Sequence, residues 1–166
     1  MVQIAWLVLG GTAFVASLYA GRDRRALYVA RAALGVLYIA AGALVHAGNL
    51  IRGASYADFA DSAHFAFVRD TWATVVVPET GLFIGLLTIF EATVGVLILV
   101  GGRWTQVGLW SGLAMHVGLL SFGWIITAWS MVMVVTFTLL LRAELNPPAT
   151  PDTAHWPAFG HLSHRV

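Results

Sequence analysis

A chain of 166 residues that is 59% hydrophobic and only 10% charged is too apolar for a soluble domain, in which about a quarter of residues carry charge; its mean hydropathy of +0.81 points to an integral membrane protein. A formal charge of +1 leaves no electrostatic footprint for nucleic acid, and the lack of cysteine excludes thiol catalysis, disulfides and thiolate metal sites. Any redox chemistry must then belong to a bound cofactor or a partner, and the length suits one bundle of roughly four or five spans.

Residues 2–20 are apolar throughout and are followed at once by Gly21-Arg22-Asp23-Arg24-Arg25. A secretory signal would carry its basic residues ahead of the apolar stretch, so this is read as a first span with its N-terminus outside. A second span over 32–51 follows Arg31. It carries Gly35, Tyr38, Gly42, His46 and Asn49 at spacings of three and four, a small and polar face that should look inward.

Residues 52–80 are too polar to span. Within them Tyr56, Phe59, Ala60, Ala63, Phe67 and Val68 alternate in helical period with Asp58, Asp61, Ser62, Arg69 and Asp70. This predicts an amphipathic helix over 56–72 at the outer interface, anchored by Phe65 and Trp72. The aspartates read as its wet face or as a docking surface for a partner. Pro78-Glu79-Thr80 then opens a third span over 82–101, with Thr80 as N-cap and Glu79 suited to the positive end of the helix dipole.

Glu91 stands at the centre of that span, near the bilayer midplane. An acidic residue there costs about 3 kcal/mol, so it should face the bundle interior, find a partner or be held protonated. Gly85, Thr88, Ala92 and Gly95 form a stripe that would let neighbouring backbones come close. Past the turn Gly101-Gly102-Arg103-Trp104, the 37 residues from Thr105 to Leu141 are too long an apolar run for one helix. A break at Ser121-Phe122-Gly123-Trp124 gives spans over 105–120 and 125–141, with Trp124 and Trp129 at the interface. Residues 142–166 read as a cytoplasmic tail broken by Pro147, Pro148, Pro151 and Pro157; its His155, His161 and His164 suggest a solvated linker more than a metal site. Five spans place Arg22, Arg24, Arg25, Arg31, Arg103, Arg142 and Arg165 inside and only Arg52 and Arg69 outside, seven against two, whereas four spans would leave five against four.

Arg31-Ala32-Ala33-Leu34-Gly35 followed by Ala41-Gly42, a loop ending in Pro78, and the segment from Phe90-Glu91-Ala92 through Gly95 to Gly101 together resemble the DoxX-like membrane proteins. In that family an Arg-x-x-Leu-Gly entry and a Glu-x-x-x-Gly-x-x-Leu-x-x-Gly helix recur in a four-helix bundle. The resemblance covers roughly residues 31–141 and implies an all-α, polytopic membrane bundle of four helices, to which the first span is an addition. A lysine often found near the end of the first family helix has no counterpart, His46 being the nearest polar residue. The resemblance also implies an accessory or anchoring subunit beside membrane oxidoreductases, such as those of thiosulfate:quinone oxidoreduction or of thiol and oxidative-stress complexes.

Counting helical rise puts Glu91 and His116 at similar depth, with His46 about one turn nearer the outside, so the three could converge. An imidazole and a carboxylate around an apolar pocket suit a quinone head group, with Tyr38 and Asn49 as further donors; two facing imidazoles suit a b-type haem. Glu91 could instead be protonated and fix helix register, or serve as the proton site of a small transporter. No nucleotide loop, zinc-protease or nucleophile-elbow motif is present, and neither a catalytic residue nor a metal ligand is assigned. The expected partners are the lipid of the cytoplasmic membrane and other membrane subunits or a second copy.

Overall fold

The computed structural model describes residues 2–148, so His155, His161 and His164 lie outside the described residues. The described residues are helical with no strand, and five long helices dominate: α1 (Val2–Tyr19), α2 (Arg24–Ile51), α3 (Thr80–Val100), α4 (Gly102–Leu119) and α5 (Trp124–Leu145). Three of them, α2, α3 and α5, are long and apolar enough to cross a membrane. Leu7, Leu86, Ile89, Trp110 and Ile125 are among many large apolar side chains facing outward. So much exposed apolar surface suits lipid rather than water.

Consecutive helices pack side by side, and α1 closes the ring by lying against both α2 and α5. The α1–α5 seam is made by Trp6 stacking on Trp129 at 6.0 Å, with Gly10 leaving the space that Trp129 fills. The Trp6 indole also donates to the Ala41 carbonyl of α2 at 2.7 Å. Trp129 is therefore a seam residue, not the interfacial marker that its place in the sequence predicts. A dry core of Leu34, Val94, Ile98, Leu109, Met133, Phe137 and Leu140 fills the half of the bundle nearest the α3–α4 turn.

Local chemistry sets the helix ends. Asp23 caps α2 by accepting from the Arg25 backbone N–H at 2.8 Å. Gly101 and Gly102 turn the chain between α3 and α4 with φ of 103° and 61°, a region closed to most side chains. Arg31 donates from Nε to the Ile98 carbonyl at 3.2 Å and pairs with Glu144 at 3.2 Å, tying α2, the end of α3 and α5 together. Within α2, Leu37–Ala43 is wound as a π-helix, wider than the α-helix on either side.

The connection between α2 and α3 differs from the single amphipathic helix expected over 56–72. It forms a 3-10 turn (Ala57–Ala60) and, past a break, a helix (Ala66–Thr71) that runs on as a π segment (Trp72–Val76). Ala60, Ala63 and Val68 are buried with Trp72 and Phe122, so the segment folds down on the α4–α5 turn. Trp72 packs inward against Phe59 at 4.9 Å, while Phe65 and Phe67 stack on each other and stay exposed. Long-range packing on Phe122 outweighs the local period. Thr80 does not act as an N-cap either, because its hydroxyl donates backward to the Val77 carbonyl at 2.7 Å. The last helix runs on to Leu145, past the expected end at 141, and holds Arg142 and Glu144 in helical register.

Candidate functional site

The inward face of α2 meets α3 along a line of close approaches. At Gly35 a Cβ would crowd Leu99 and the Gly95 carbonyl, and at Gly95 a Cβ would lie 2.9 Å from the Gly35 carbonyl, so the two backbones nearly touch. Gly95 is the member of the expected stripe that makes this contact; Gly85 has open space around it, and Ala92 borders a groove on the outer surface. Two turns further along α2, a Cβ at Gly42 would lie 3.0 Å from the Glu91 carboxyl carbon. Gly42 thus makes the room in which that carboxyl sits.

Glu91 is 8% exposed, near the middle of α3. Its Oε2 is buried without a hydrogen-bond partner, and His46 Nε2 stands 3.7 Å away, too far for a direct hydrogen bond. The other ring nitrogen of His46 lies 2.8 Å from the Tyr56 hydroxyl. Asn49 Nδ2 donates to the same hydroxyl at 3.4 Å, and Arg52 donates to Asn49 Oδ1 at 2.8 Å. Trp72 holds Tyr56 in place by donating to its backbone carbonyl at 2.8 Å.

A second polar cluster centres on Tyr38, one turn of α2 from Gly42. His116 Nδ1 is 3.1 Å from the Tyr38 hydroxyl and 3.0 Å from the Gly112 carbonyl. Phe137 packs against both rings, at 5.9 Å from Tyr38 and 5.4 Å from His116. The expected residues therefore divide: Glu91, His46 and Asn49 belong to one group with Tyr56, and Tyr38 and His116 form the other. No hydrogen bond joins His116 to Glu91.

Tyr56, which the helical period places on the apolar face of the loop helix, instead turns its hydroxyl to His46 and Asn49. Its signal is faint, since a loop tyrosine has no periodic relation to the helix that it folds back upon. It lines a cleft of about 390 Å³ between the end of α2 and the start of α3, together with Leu50, Ser55, Val77, Thr80 and Gly81. A shallower groove runs along Ala92, Thr93, Val96 and Leu97 on the outer surface of α3. Glu91 lines neither. Set against known protein families, curated proteins and solved structures, the chain matches none of them, so its likeness to the DoxX-like proteins rests on the short motifs alone.

Proposed function

We propose that this chain is an accessory subunit of a redox-linked assembly in the cytoplasmic membrane. It crosses five times with the N-terminus outside, and its α2–α3 seam takes the head group of a quinone or similar lipid-like ligand. One observation carries the reading: a buried carboxyl oxygen with no partner, in a space left open by Gly42 and faced by an imidazole nitrogen. Leaving such an oxygen unsatisfied costs about 1–3 kcal/mol or more, and a ligand oxygen or hydroxyl placed between Glu91 and His46 would offset that cost. The arginine bias and the DoxX-like motifs support the orientation and the setting.

A b-type haem has less support, because His46 and His116 sit in separate clusters and the His116 ring is packed between Tyr38 and Phe137. The close Gly35–Gly95 contact favours a scaffold as the second reading. Purification in mild detergent followed by organic extraction separates the two. The ligand reading expects near-stoichiometric quinone that is lost in a folded Glu91→Gln variant, together with redox subunits among the co-purifying chains. A pure, folded protein with no extractable quinone leaves the scaffold.

A further inference from the structure

We propose that Tyr56 and His46 form a proton path from the loop-side cleft to Glu91. The proposal deepens the reading of the α2–α3 seam and rests on it only in taking Glu91 as the group that gains and loses the proton.

The hydrogen bonds give the path a direction. Arg52 donates to the Asn49 carbonyl oxygen, which turns the Asn49 amide nitrogen toward Tyr56. Because Asn49 donates to the phenol oxygen, the phenol O–H is free to donate to His46 Nδ1 at 2.8 Å. The ring proton then sits on Nε2, the nitrogen that faces Glu91. At the other end, Tyr56 lines the cleft between α2 and α3. A hydronium ion in the cleft passes a proton to the phenol oxygen as the phenol proton moves to His46 Nδ1. The imidazolium releases its Nε2 proton to Glu91 Oε2 across the 3.7 Å gap, bridged by one water or closed by a small side-chain rotation. The ring is left protonated at Nδ1, and loss of that proton and uptake of one at Nε2 by exchange with water return it to the first tautomer. Carboxylate and hydronium become carboxylic acid and water, and no electron moves.

The opposite end of the bundle gives no such route. Leu34, Val94, Ile98, Leu109, Phe137 and Leu140 are fully buried between Glu91 and the α3–α4 turn. The other titratable group that α2 presents along this face is Tyr38, whose hydroxyl is tied to His116 of α4. α1 as far as Leu18 and α5 as far as Leu141 carry no titratable side chain. Charged groups toward the two ends include Arg52 and the Arg31–Glu144 pair. Protons exchanged at Glu91 are therefore exchanged with the loop side.

The test uses the full chain in proteoliposomes of determined orientation, with a rapid pH drop on one face and infrared detection of the protonated-carboxyl band that is missing in Glu91→Gln. A drop on the loop side should raise the band promptly, and a drop on the other side should not. Tyr56→Phe and His46→Gln should slow the rise about a hundredfold, the lower end of what a positioned proton-transfer group contributes, while reaching the same final amplitude. Equal response from either face, a wild-type rate in both variants, or no Glu91-dependent band at all overturns the path. Quinone content measured on the same samples separates the two proposals. A working path in a protein without quinone sinks the ligand reading alone, and bound quinone with a wild-type rate in both variants sinks the path alone.

Discussion

The two histidine clusters make the most useful comparison in this molecule. Around His116 no fully buried side-chain polar atom is left without a partner: Nδ1 has the Tyr38 hydroxyl and the Gly112 carbonyl within reach, and Phe137 packs against the ring. Around His46 the same kind of residues leave something over, namely a carboxyl oxygen with no partner and a tyrosine that leads to a cleft. A complete network holds helices together, whereas an incomplete one keeps capacity for something that arrives later. Residue type alone does not separate structure from chemistry here; the hydrogen-bond inventory does.

Substitutions can break that contrast from either side. Phe137→Ala, in the closed cluster, should lower stability most, by about 3–5 kcal/mol in thermal unfolding in detergent, and leave Glu91 chemistry in place in whatever fraction stays folded. Gly42→Val is the counterpart in the open cluster. Its side chain would press on the Glu91 carboxyl, so overpacking of about 1–3 kcal/mol should come with loss of extractable quinone. Tyr38→Phe removes one hydrogen bond to His116, costs about 1 kcal/mol, and should leave ligand content unchanged. Asn49→Leu should have the smallest effect on stability but slow proton arrival at Glu91, because the Tyr56 hydroxyl then loses the donor that sets the direction of its bond to His46. A Tyr38→Phe protein that loses quinone as fully as Gly42→Val would erase the distinction between the clusters.

Much of this arrangement is legible along single helices and little of it between them. The three- and four-residue spacing from Gly35 to Asn49 identifies the face of α2 that meets α3 and the loop, and the Ser121–Gly123 break separates α4 from α5. Both follow from local rules: helical period in one case, and turn residues in an overlong apolar run in the other. Counting rise per residue gives an expected depth for Glu91 and His116 but not their direction around the helix axis, so two residues expected at one depth need not meet. The π segment over Leu37–Ala43 has no marker in its apolar sequence. The small-residue stripe on α3 fails for a related reason. Gly85 and Gly95 look equivalent in the sequence, and only the position of α2 decides that Gly95 is the one in contact. The loop was the least readable part, since its packing on Phe122 depends on residues some fifty positions downstream.

The central claim is that Glu91 is a reactive carboxyl sheltered inside the bundle and reachable from the loop side. Labelling with dicyclohexylcarbodiimide, an apolar reagent that modifies protonated carboxyls, followed by peptide mass spectrometry of protein taken directly from the membrane, addresses it most directly. Selective modification of Glu91 over Glu79 and Glu144, prevented by added quinone, is the expected result. Labelling spread over the loop aspartates with Glu91 untouched would contradict the account.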